Sequence, residues 1–360
     1  MRGWLLSLEG FSMPQLLKLL AVYQSAERAI EAKSWDWLSK GVISEEQYHK
    51  VRTAWNESDW PSYAERLHQA DVRLIMPGDH TYPQMLSSIE DAPALLHVKG
   101  LELAADLPYI AVVGSRKASQ YGKRVAKELA ADLGDCGIGI VSGLARGIDS
   151  AAHEGVLSVK RGLTAAIVAT GLDKVYPKEN HLLAQQIEAK GAIYSEYPLK
   201  TEPLAFRFPE RNRIIAGFSL GVVVVEAAEK SGTQITVTHA LNQGREVFAV
   251  PGSIYTSNSH GPHQLLRQGA CLVENAHDIL EELGLWQSLS KEPASKWDLT
   301  SELSLMQKQI MGLLVIEPLH FDQVQSITGF PPGTLLSELL NLELEGYILC
   351  QPGRIYSLSR

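Results

Sequence analysis

Short, nearly continuous apolar runs recur through the middle of the chain and alternate with longer segments of helical spacing. The helical segments include 121–133, 180–190 and 234–242. Continuous apolar runs are typical of strands covered on both faces, and alternation with helices is typical of parallel sheets with right-handed crossovers. The pattern predicts an extended α/β domain over residues 71–287, with a doubly wound, mostly parallel, Rossmann-like sheet. The predicted strands are 110–113, 138–141, 165–170, 192–195, 220–225, 246–250 and 271–273.

The segment before this domain, residues 1–70, predicts a small helical module. Pro14 lies in the first turn of a helix expected to begin near Met13, a position where proline is well tolerated. Further helices are predicted at 26–32 and 44–55. The module carries no catalytic pattern.

The segment after the domain begins with a polar stretch at 288–298, which predicts a linker. Residues 299–360 then predict three helices and a hairpin, which is the pattern of a winged-helix module. The expected helices are 303–314, 321–327 and 334–344, and the expected hairpin strands are 347–350 and 354–358.

The third helix of this tail is acidic. Winged helices often present basic side chains from their third helix to the major groove. Here the helix carries Glu338 and Glu343, and Glu345 follows it. We therefore expect the tail not to read duplex DNA sequence.

Composition narrows the class of protein further. The chain has 360 residues, 45% of them hydrophobic, and none of its apolar runs approaches the roughly 20 residues that span a bilayer. We therefore expect a soluble, cytoplasmic protein without membrane contact. The formal net charge of −8 means that binding to a polyanion must depend on local basic clusters. The three cysteines lack metal-ligand spacing and are expected to be buried apolar residues.

The residues that follow the predicted strands suggest a ligand site. Open α/β sheets bind ligands at the carboxyl ends of their strands, and glycines there let backbone N–H groups approach a phosphate. Several such turns, with interleaved basic residues, form a wider rim than one mononucleotide needs and favour a threaded phosphodiester backbone. The candidate residues are Gly114, Ser115, Arg116, Lys117, Ser119, Ser142, Gly143, Arg146, Gly147, Lys174, Lys178, Ser231, Gly232 and Thr233. The competing interpretation is that each glycine only makes a turn.

A basic and aromatic segment at 206–213 extends this site. Phe208, Arg211, Asn212 and Arg213 combine an aromatic face with charge, as single-strand binding sites do. In the alternative interpretation Phe208 belongs to the core and Arg213 pairs with Glu226. Arg211 is the stronger candidate for a direct contact.

The histidines do not predict a catalytic or metal centre. His153 follows Asp149 by one helical turn and is expected to make a structural hydrogen bond. His260 and His263 flank a Gly-Pro turn that is too tight to indicate a metal site. The sequence therefore predicts no cofactor.

At these residues the chain resembles the DNA-processing protein A family, also called DprA or Smf. The matching stretches include Val-Gly-Ser-Arg-Lys-Ala-Ser at 113–119, Ser-Gly-Leu-Ala-Arg-Gly-Ile-Asp at 142–149 and Phe-Pro-Glu-Arg-Asn-Arg at 208–213. The others are 82–83, 171–173, 176–177, 195–198, 225–227, 231–233 and 250–252. Together they cover nearly all of the central domain in order.

The resemblance implies an extended Rossmann-like domain preceded by a sterile-alpha-motif-like (SAM-like) module. It implies binding and protection of incoming single-stranded DNA in natural transformation, and loading of the RecA recombinase onto that strand. It also implies a homodimer formed through the Rossmann-like domains. By motif position, the strand-binding elements fall on Gly114, Ser115, Arg116, the 142–149 loop and the 208–212 segment.

Two enzyme classes compete with this interpretation. An NAD-dependent oxidoreductase would need Gly-x-Gly-x-x-Gly after the first strand, where this chain has Gly-Ser-Arg-Lys-Ala-Ser. A nucleotide phosphoribohydrolase of the LOG type would need a catalytic glutamate where Thr236 stands, and a threonine cannot serve as that carboxylate. Glu226 lies too early in the loop to replace it. We therefore expect a protein that is not an enzyme.

Overall fold

The computed structural model describes residues 2–8, 13–31, 37–38, 40–41, 43–56, 59–229, 231–286, 304–314, 318–344, 347–351 and 353–358. The chain divides into two compact units, Met1–Leu289 and Ser290–Arg360. The N-terminal helices belong to the same unit as the sheet, so the boundary near residue 70 does not separate compact units and stays a prediction. The predicted linker at 288–298 lies outside the described residues.

One sheet of nine strands runs through the first unit. Its strands are β1 (Arg73–Ile75), β2 (Leu96–Gly100), β3 (Tyr109–Val113), β4 (Gly139–Ser142), β5 (Thr164–Val168), β6 (Ala192–Ser195), β7 (Gly221–Val224), β8 (Glu246–Ala249) and β9 (Cys271–Leu272). Their order is β1-β2-β6-β5-β4-β3-β7-β8-β9. All neighbours from β6 to β9 are parallel, whereas β1 and β2 are antiparallel additions at one edge. The predicted mostly parallel, Rossmann-like sheet is confirmed.

Helices cover both faces of this sheet. The N-terminal helices of the first unit are α1 (Arg2–Ser7), α2 (Met13–Tyr23), α3 (Ala26–Glu31), α4 (Glu45–Asn56) and α5 (Asp59–Gln69). The crossover and flanking helices are α6 (Gln84–Ser87), α7 (Gln120–Asp135), α8 (Ile148–Leu157), α9 (His181–Lys190), α10 (Arg207–Phe218), α11 (Thr233–Asn242), α12 (His260–Arg267) and α13 (Ala276–Glu282).

Burial explains why the central strands are continuous apolar runs. Every residue of β3, β4, β5, β6 and β7 is buried, and separate apolar clusters lie on the two faces of the sheet. The seven predicted strands are all present, with bounds that differ by a few residues. The predictions missed β1 and β2 because β1 is very short and both strands carry partly exposed positions at the edge of the sheet.

The N-terminal helices pack on one another around Trp4, Leu16, Leu19 and Trp37, which are almost fully buried. The predicted helical module is therefore present in the described residues, and its SAM-like identity stays a prediction. It joins the sheet through Tyr63 of α5, whose hydroxyl lies 2.8 Å from Nε2 of His97 on β2.

The second unit consists of three helices and a small sheet. The helices are α14 (Leu305–Leu314), α15 (Phe321–Thr328) and α16 (Pro332–Leu344). The strands β10 (Leu319–His320), β11 (Ile348–Gln351) and β12 (Ile355–Leu358) form a sheet in the order β10-β12-β11. Three helices with a hairpin confirm the predicted winged-helix shape, and β10 is a strand that the sequence did not predict.

The prediction for the cysteines is wrong. Cys136 and Cys271 are half-buried and Cys350 is exposed. Cys350 lies on the hairpin strand β11, next to the exposed Leu349. In the described part of the chain, no helix is long and apolar enough to cross a membrane.

The contact between His97 and Tyr63 makes stability depend on pH. Nδ1 of His97 lies 3.3 Å from the carbonyl oxygen of Ser195, so Nδ1–H donates there and Nε2 accepts from the Tyr63 hydroxyl. Burial lowers the pKa of His97 to about 4, below its ordinary value of 6.5. The folded state therefore binds fewer protons than the unfolded state between these values, and stability falls as the pH drops from 6.5 towards 4.

We expect His97→Gln to reduce this dependence on pH. A buried neutral histidine contributes a slope of at most ~1.4 kcal/mol per pH unit in that window, or about 2 kcal/mol between pH 6.5 and pH 5. Urea unfolding of the parent and of His97→Gln at pH 7.5 and pH 5 measures this change in stability. An identical loss of stability in the variant and the parent would contradict the assignment.

Candidate nucleic-acid interface

A large groove of the first unit lies at the switch point of the sheet. Strands β3 and β7 are neighbours, but successive crossovers lead from β3 to β4 on one side and from β7 to β8 on the other. The loops after β3 and β7 therefore diverge and leave a crevice at their carboxyl ends. This crevice, the main groove, has a volume of about 680 Å³ and is lined by residues from 113–117, 203–215 and 228–236, with Ala145, Asp149, Tyr176 and Asn258.

The loop after β3 is held by Glu226, a buried residue after β7. The backbone N–H of Ser115 donates to the Glu226 carbonyl at 2.6 Å. The Glu226 carboxylate accepts from the Ser119 N–H at 2.8 Å and from its hydroxyl at 2.5 Å. Ser119 also caps α7 by accepting from the Gly122 N–H. Gly122 has no room for a side chain, because a Cβ there would overlap the Glu226 carboxylate.

The loop after β4 packs under the loop after β3. Gly147 has φ +82° and ψ −121°, a conformation open to glycine, and a Cβ there would clash with the Ser115 carbonyl oxygen. Asp149 accepts from the N–H groups of Gly143 at 3.1 Å and Ala145 at 3.3 Å. The shape of this loop is therefore fixed by one buried carboxylate and by close backbone contact.

Arg211 of α10 lies beneath the groove and is only 4% exposed. Its guanidinium donates to the carbonyl oxygens of Gly143, at 2.9 Å, and Ile167. Burial lowers the pKa of Arg211 to about 10, while the neighbouring Asp149 carboxylate opposes that shift, so the side chain stays charged at neutral pH. Burial likewise raises the pKa of Asp149, and Arg211 opposes that change.

Arg211 lines the groove although its side chain is mostly buried, and the prediction that it makes the stronger direct contact stays a prediction. Its Nη1 donates to two main-chain carbonyls within the protein, and its Nε–H donates to Oδ1 of Asn212 at 3.2 Å. Arg116 and Lys117, in contrast, are exposed on the groove. They are the cations that a ligand can reach.

An aromatic cluster lies in the groove above Arg211. The Arg116 guanidinium is 5.1 Å from the centre of the Phe208 ring, and that of Arg211 is 6.0 Å from it. The ring centres of Tyr176 and Phe208 are 5.7 Å apart. Phe208 is half-buried and lines the groove, so it is not a residue of the core.

A smaller cavity of about 430 Å³ lies beside the main groove, at the carboxyl end of β5. We call it the side cavity. It is lined by Thr170, Lys174, Val175, Tyr176, Lys178, His181, Glu202 and Pro203. Tyr176 and Pro203 line both spaces, so the two are adjacent.

The structure brings together most of the candidate residues from the sequence. The main groove is lined by Gly114, Ser115, Arg116, Lys117, Phe208, Arg211, Asn212, Ser231, Gly232 and Thr233, and the side cavity by Lys174 and Lys178. Six other candidates do not line either space, namely Ser119, Ser142, Gly143, Arg146, Gly147 and Arg213. Ser142 is buried, and its hydroxyl donates to the Val112 carbonyl oxygen.

Several candidate cations have carboxylate partners. Arg213 binds the buried Glu196 carboxylate through two bonds of 2.6 Å and lies 3.4 Å from Asp91. The alternative pairing of Arg213 with Glu226 is therefore wrong. On the surface, Arg146 pairs with Glu179, and Lys174 with Glu202.

His153 makes the structural hydrogen bond that the sequence predicts. Its Nδ1 lies 2.7 Å from the Thr164 hydroxyl, which itself donates to the Ile140 carbonyl oxygen. Burial lowers the pKa of His153 to about 3, so the ring is neutral. No cluster of possible metal ligands exists among the residues that the structure describes.

Asn258, Tyr176 and Thr170 are among the residues of this surface that sequence reasoning missed. Asn258 donates to the Lys117 carbonyl at 3.1 Å, and its side chain also reaches Glu226. Tyr176 lines both spaces, and Thr170 lines the side cavity. Thr170 and Tyr176 flank a Gly-Leu-Asp turn that the sequence did single out, whereas nothing local indicates that Asn258 returns to the loop after β3.

The fold and the site together define the class of this protein. It has a Rossmann-like sheet with a basic, glycine-lined groove at the switch point, and it also carries a winged-helix unit. The family model for DNA recombination-mediator protein A matches residues 73–284, and that for the DprA winged helix domain matches residues 292–354. The chain belongs to the DNA recombination-mediator protein A family, which confirms the resemblance seen in the sequence.

Relatives support this membership over much of the chain. The protein Smf of Escherichia coli K12 is 41% identical over 298 residues, covering 82% of this chain and 79% of that protein. The DNA processing protein DprA of Bacillus subtilis 168 is 45% identical over 213 residues, covering 59% and 71%.

Solved structures also resemble the fold. The X-ray structure of DNA processing protein A from Streptococcus pneumoniae has a TM-score of 0.67 and 36% identity, covering 78% of this chain and 98% of that one. A structure of DNA processing protein A from Helicobacter pylori, which concerns its single-stranded DNA binding mode, has a TM-score of 0.53 and 28% identity, covering 59% and 95%.

We expect Gly147→Ala to destabilise the protein by roughly 2–4 kcal/mol, because the new Cβ needs both a strained backbone and a displaced Ser115 carbonyl. The matched control is Gly244→Ala, also at positive φ (+64°) but with open space around the Cβ. It should cost only about 1 kcal/mol. Urea unfolding measures both, and equal costs would show that the two loops do not depend on their close packing.

Proposed function

We propose that this chain binds single-stranded DNA without sequence preference in the main groove and is not an enzyme. The observation that carries the proposal is the exposed pair Arg116 and Lys117 on a glycine-lined loop, next to the Phe208 ring. Phosphate contacts supply affinity, and stacking on an aromatic ring accepts any base. The single-stranded DNA binding described for the Helicobacter pylori relative supports the same ligand.

The charge of the groove suits a polyanion although the whole chain is acidic. Arg116, Lys117 and Arg211 line it against one carboxylate, Asp149, whose oxygens accept hydrogen bonds from the loop after β4. Ser231 lines the groove, and its buried hydroxyl has no hydrogen-bond partner among the described residues. The net charge of −8 over the whole chain discourages non-specific adhesion to duplex DNA.

The side chains of the groove argue against nucleotide hydrolysis. Thr236, at the place of the LOG-type glutamate, is buried on α11 and has no acidic group to offer. Glu226 and Asp149 already accept several hydrogen bonds that hold the loops. Incubation with nucleoside monophosphates tests this part of the proposal, and release of free base would overturn it.

Arg116→Ala is expected to weaken binding of a thymidine oligonucleotide at least tenfold, because it removes an exposed cation that pairs with phosphate and stacks on Phe208. The slope of log affinity against log salt should fall by about 0.7 for each phosphate that is no longer neutralised. Fluorescence anisotropy over a salt series measures both.

The matched control for that variant is Arg124→Ala. Arg124 is an exposed arginine of α7 that pairs with Glu128 outside the groove, so its replacement should leave affinity within about twofold of the parent. If Arg116→Ala and Arg124→Ala bind equally well, the groove is not the strand-binding site.

We further propose that the bound strand is protected from nucleases and handed to RecA, and that the protein acts as a homodimer through its Rossmann-like unit. The description of the family as recombination mediators supports this role. Two grooves on one strand would raise effective concentration and thus affinity. The protein should accelerate single-strand-dependent ATP hydrolysis by RecA, and Arg116→Ala should abolish that gain. If the parent and Arg116→Ala accelerate ATP hydrolysis equally, the effect on RecA does not depend on strand binding through Arg116.

A further inference from the structure

The side cavity at the carboxyl end of β5 has features that a phosphate path alone does not explain. Its walls include Val175, the ring of Tyr176 and Pro203, all apolar surfaces. Its volume of about 430 Å³ lies in the range of small-ligand pockets. A backbone held by lysines needs neither an apolar wall nor this volume.

Thr170 provides a second, independent observation. It lines the cavity, is only 2% exposed, and its hydroxyl has no hydrogen-bond partner among the described residues. Its backbone carbonyl, in contrast, accepts from the Ser195 hydroxyl at 2.7 Å. Buried hydroxyl groups are normally paired, so an unpaired one at a cavity indicates a polar partner that enters it.

The cavity also carries one cation that remains available. Lys174 is paired with Glu202, which also lines the cavity. Glu179 is paired with Arg146. Lys178 is exposed and has no ion-pair partner within the described part of the chain. It lies just before α9, which begins at His181.

We propose that the side cavity binds one nucleobase of the same strand that occupies the main groove. The base lies against Tyr176 and Pro203, its polar edge bonds to the Thr170 hydroxyl, and Lys178 holds the adjoining phosphate. Tyr176 and Pro203 line both spaces, so a strand passing from the main groove reaches the cavity without leaving the protein surface. This inference rests on the proposed strand binding, and assigns a base-binding role to residues outside the main groove.

The test compares Thr170→Val with the parent on two probes of equal length. One is a thymidine oligonucleotide, and the other has the same backbone with every base replaced by an abasic unit. Valine keeps the shape of threonine and removes the hydroxyl. We expect affinity for the thymidine probe to fall about three- to tenfold, as when one hydrogen bond is removed, and affinity for the abasic probe to stay unchanged.

Three further variants control this result. Thr170→Ser keeps the hydroxyl and should bind like the parent, whereas Thr170→Ala should weaken binding as much as valine does and serves if Thr170→Val fails to fold. Thr238→Val makes the same chemical change at an exposed position of α11 that does not line the groove, and should change nothing. Thermal melting of each variant confirms that the chain is folded.

Three outcomes would overturn the inference. In the first, the variants without the hydroxyl bind the thymidine probe like the parent. In the second, their affinity falls equally for both probes, which indicates an indirect effect on the groove. In the third, only their binding of thymidine monophosphate is weakened, so that the cavity serves a free nucleotide. The outcome for strand binding itself is separate, because Arg116→Ala should weaken both probes even if no base enters the cavity.

Discussion

Beneath the groove, the guanidinium of Arg211 joins the carboxyl ends of two neighbouring strands. It donates to Gly143 after β4 and to Ile167 of β5, while Asp149, its charge partner, holds the N–H groups of Gly143 and Ala145. Burying either charge alone would be strongly unfavourable, by roughly 3–5 kcal/mol if one partner is removed. The two therefore depend on each other, and the loop after β4 depends on both. Gly143 must be glycine, because a Cβ there would overlap the Arg211 guanidinium.

That buried pair determines which charges a ligand can reach. Arg211 and Asp149 are satisfied inside the protein, and Glu226 is occupied by Ser119 on the other side of the groove. The exposed cations, Arg116 and Lys117, are carried by a loop whose backbone bonds to Glu226 and packs on Gly147. The buried carboxylates thus hold the loops in place, and the solvated cations face outward. This division explains how an acidic chain presents a basic groove.

The strand order of the sheet accounts for the position of the groove. Because the chain leaves β3 and β7 in opposite directions, the crevice between them needs no insertion or additional domain to form. Residues from several separate segments of the sequence meet there, namely 113–117, 145–149, Tyr176, 203–215, 228–236 and Asn258. The side cavity lies further along the sheet, at β5, where Tyr176 and Pro203 form the boundary between the two spaces.

The sequence by itself determined the class of fold, the central strands and most of the groove, because buried parallel strands are continuous apolar runs and their carboxyl ends necessarily meet at one edge. Only the tertiary structure decided which of the charged residues are available. Arg211, Arg213 and Arg116 look alike as residues of basic motifs, yet the first is buried under main-chain carbonyls, the second is bound to Glu196, and the third is exposed. Their partners lie far away along the chain, and a carboxylate that arrives from another strand leaves no local pattern. The same holds for Thr170 and Asn258, whose surroundings exist only after distant loops have packed together.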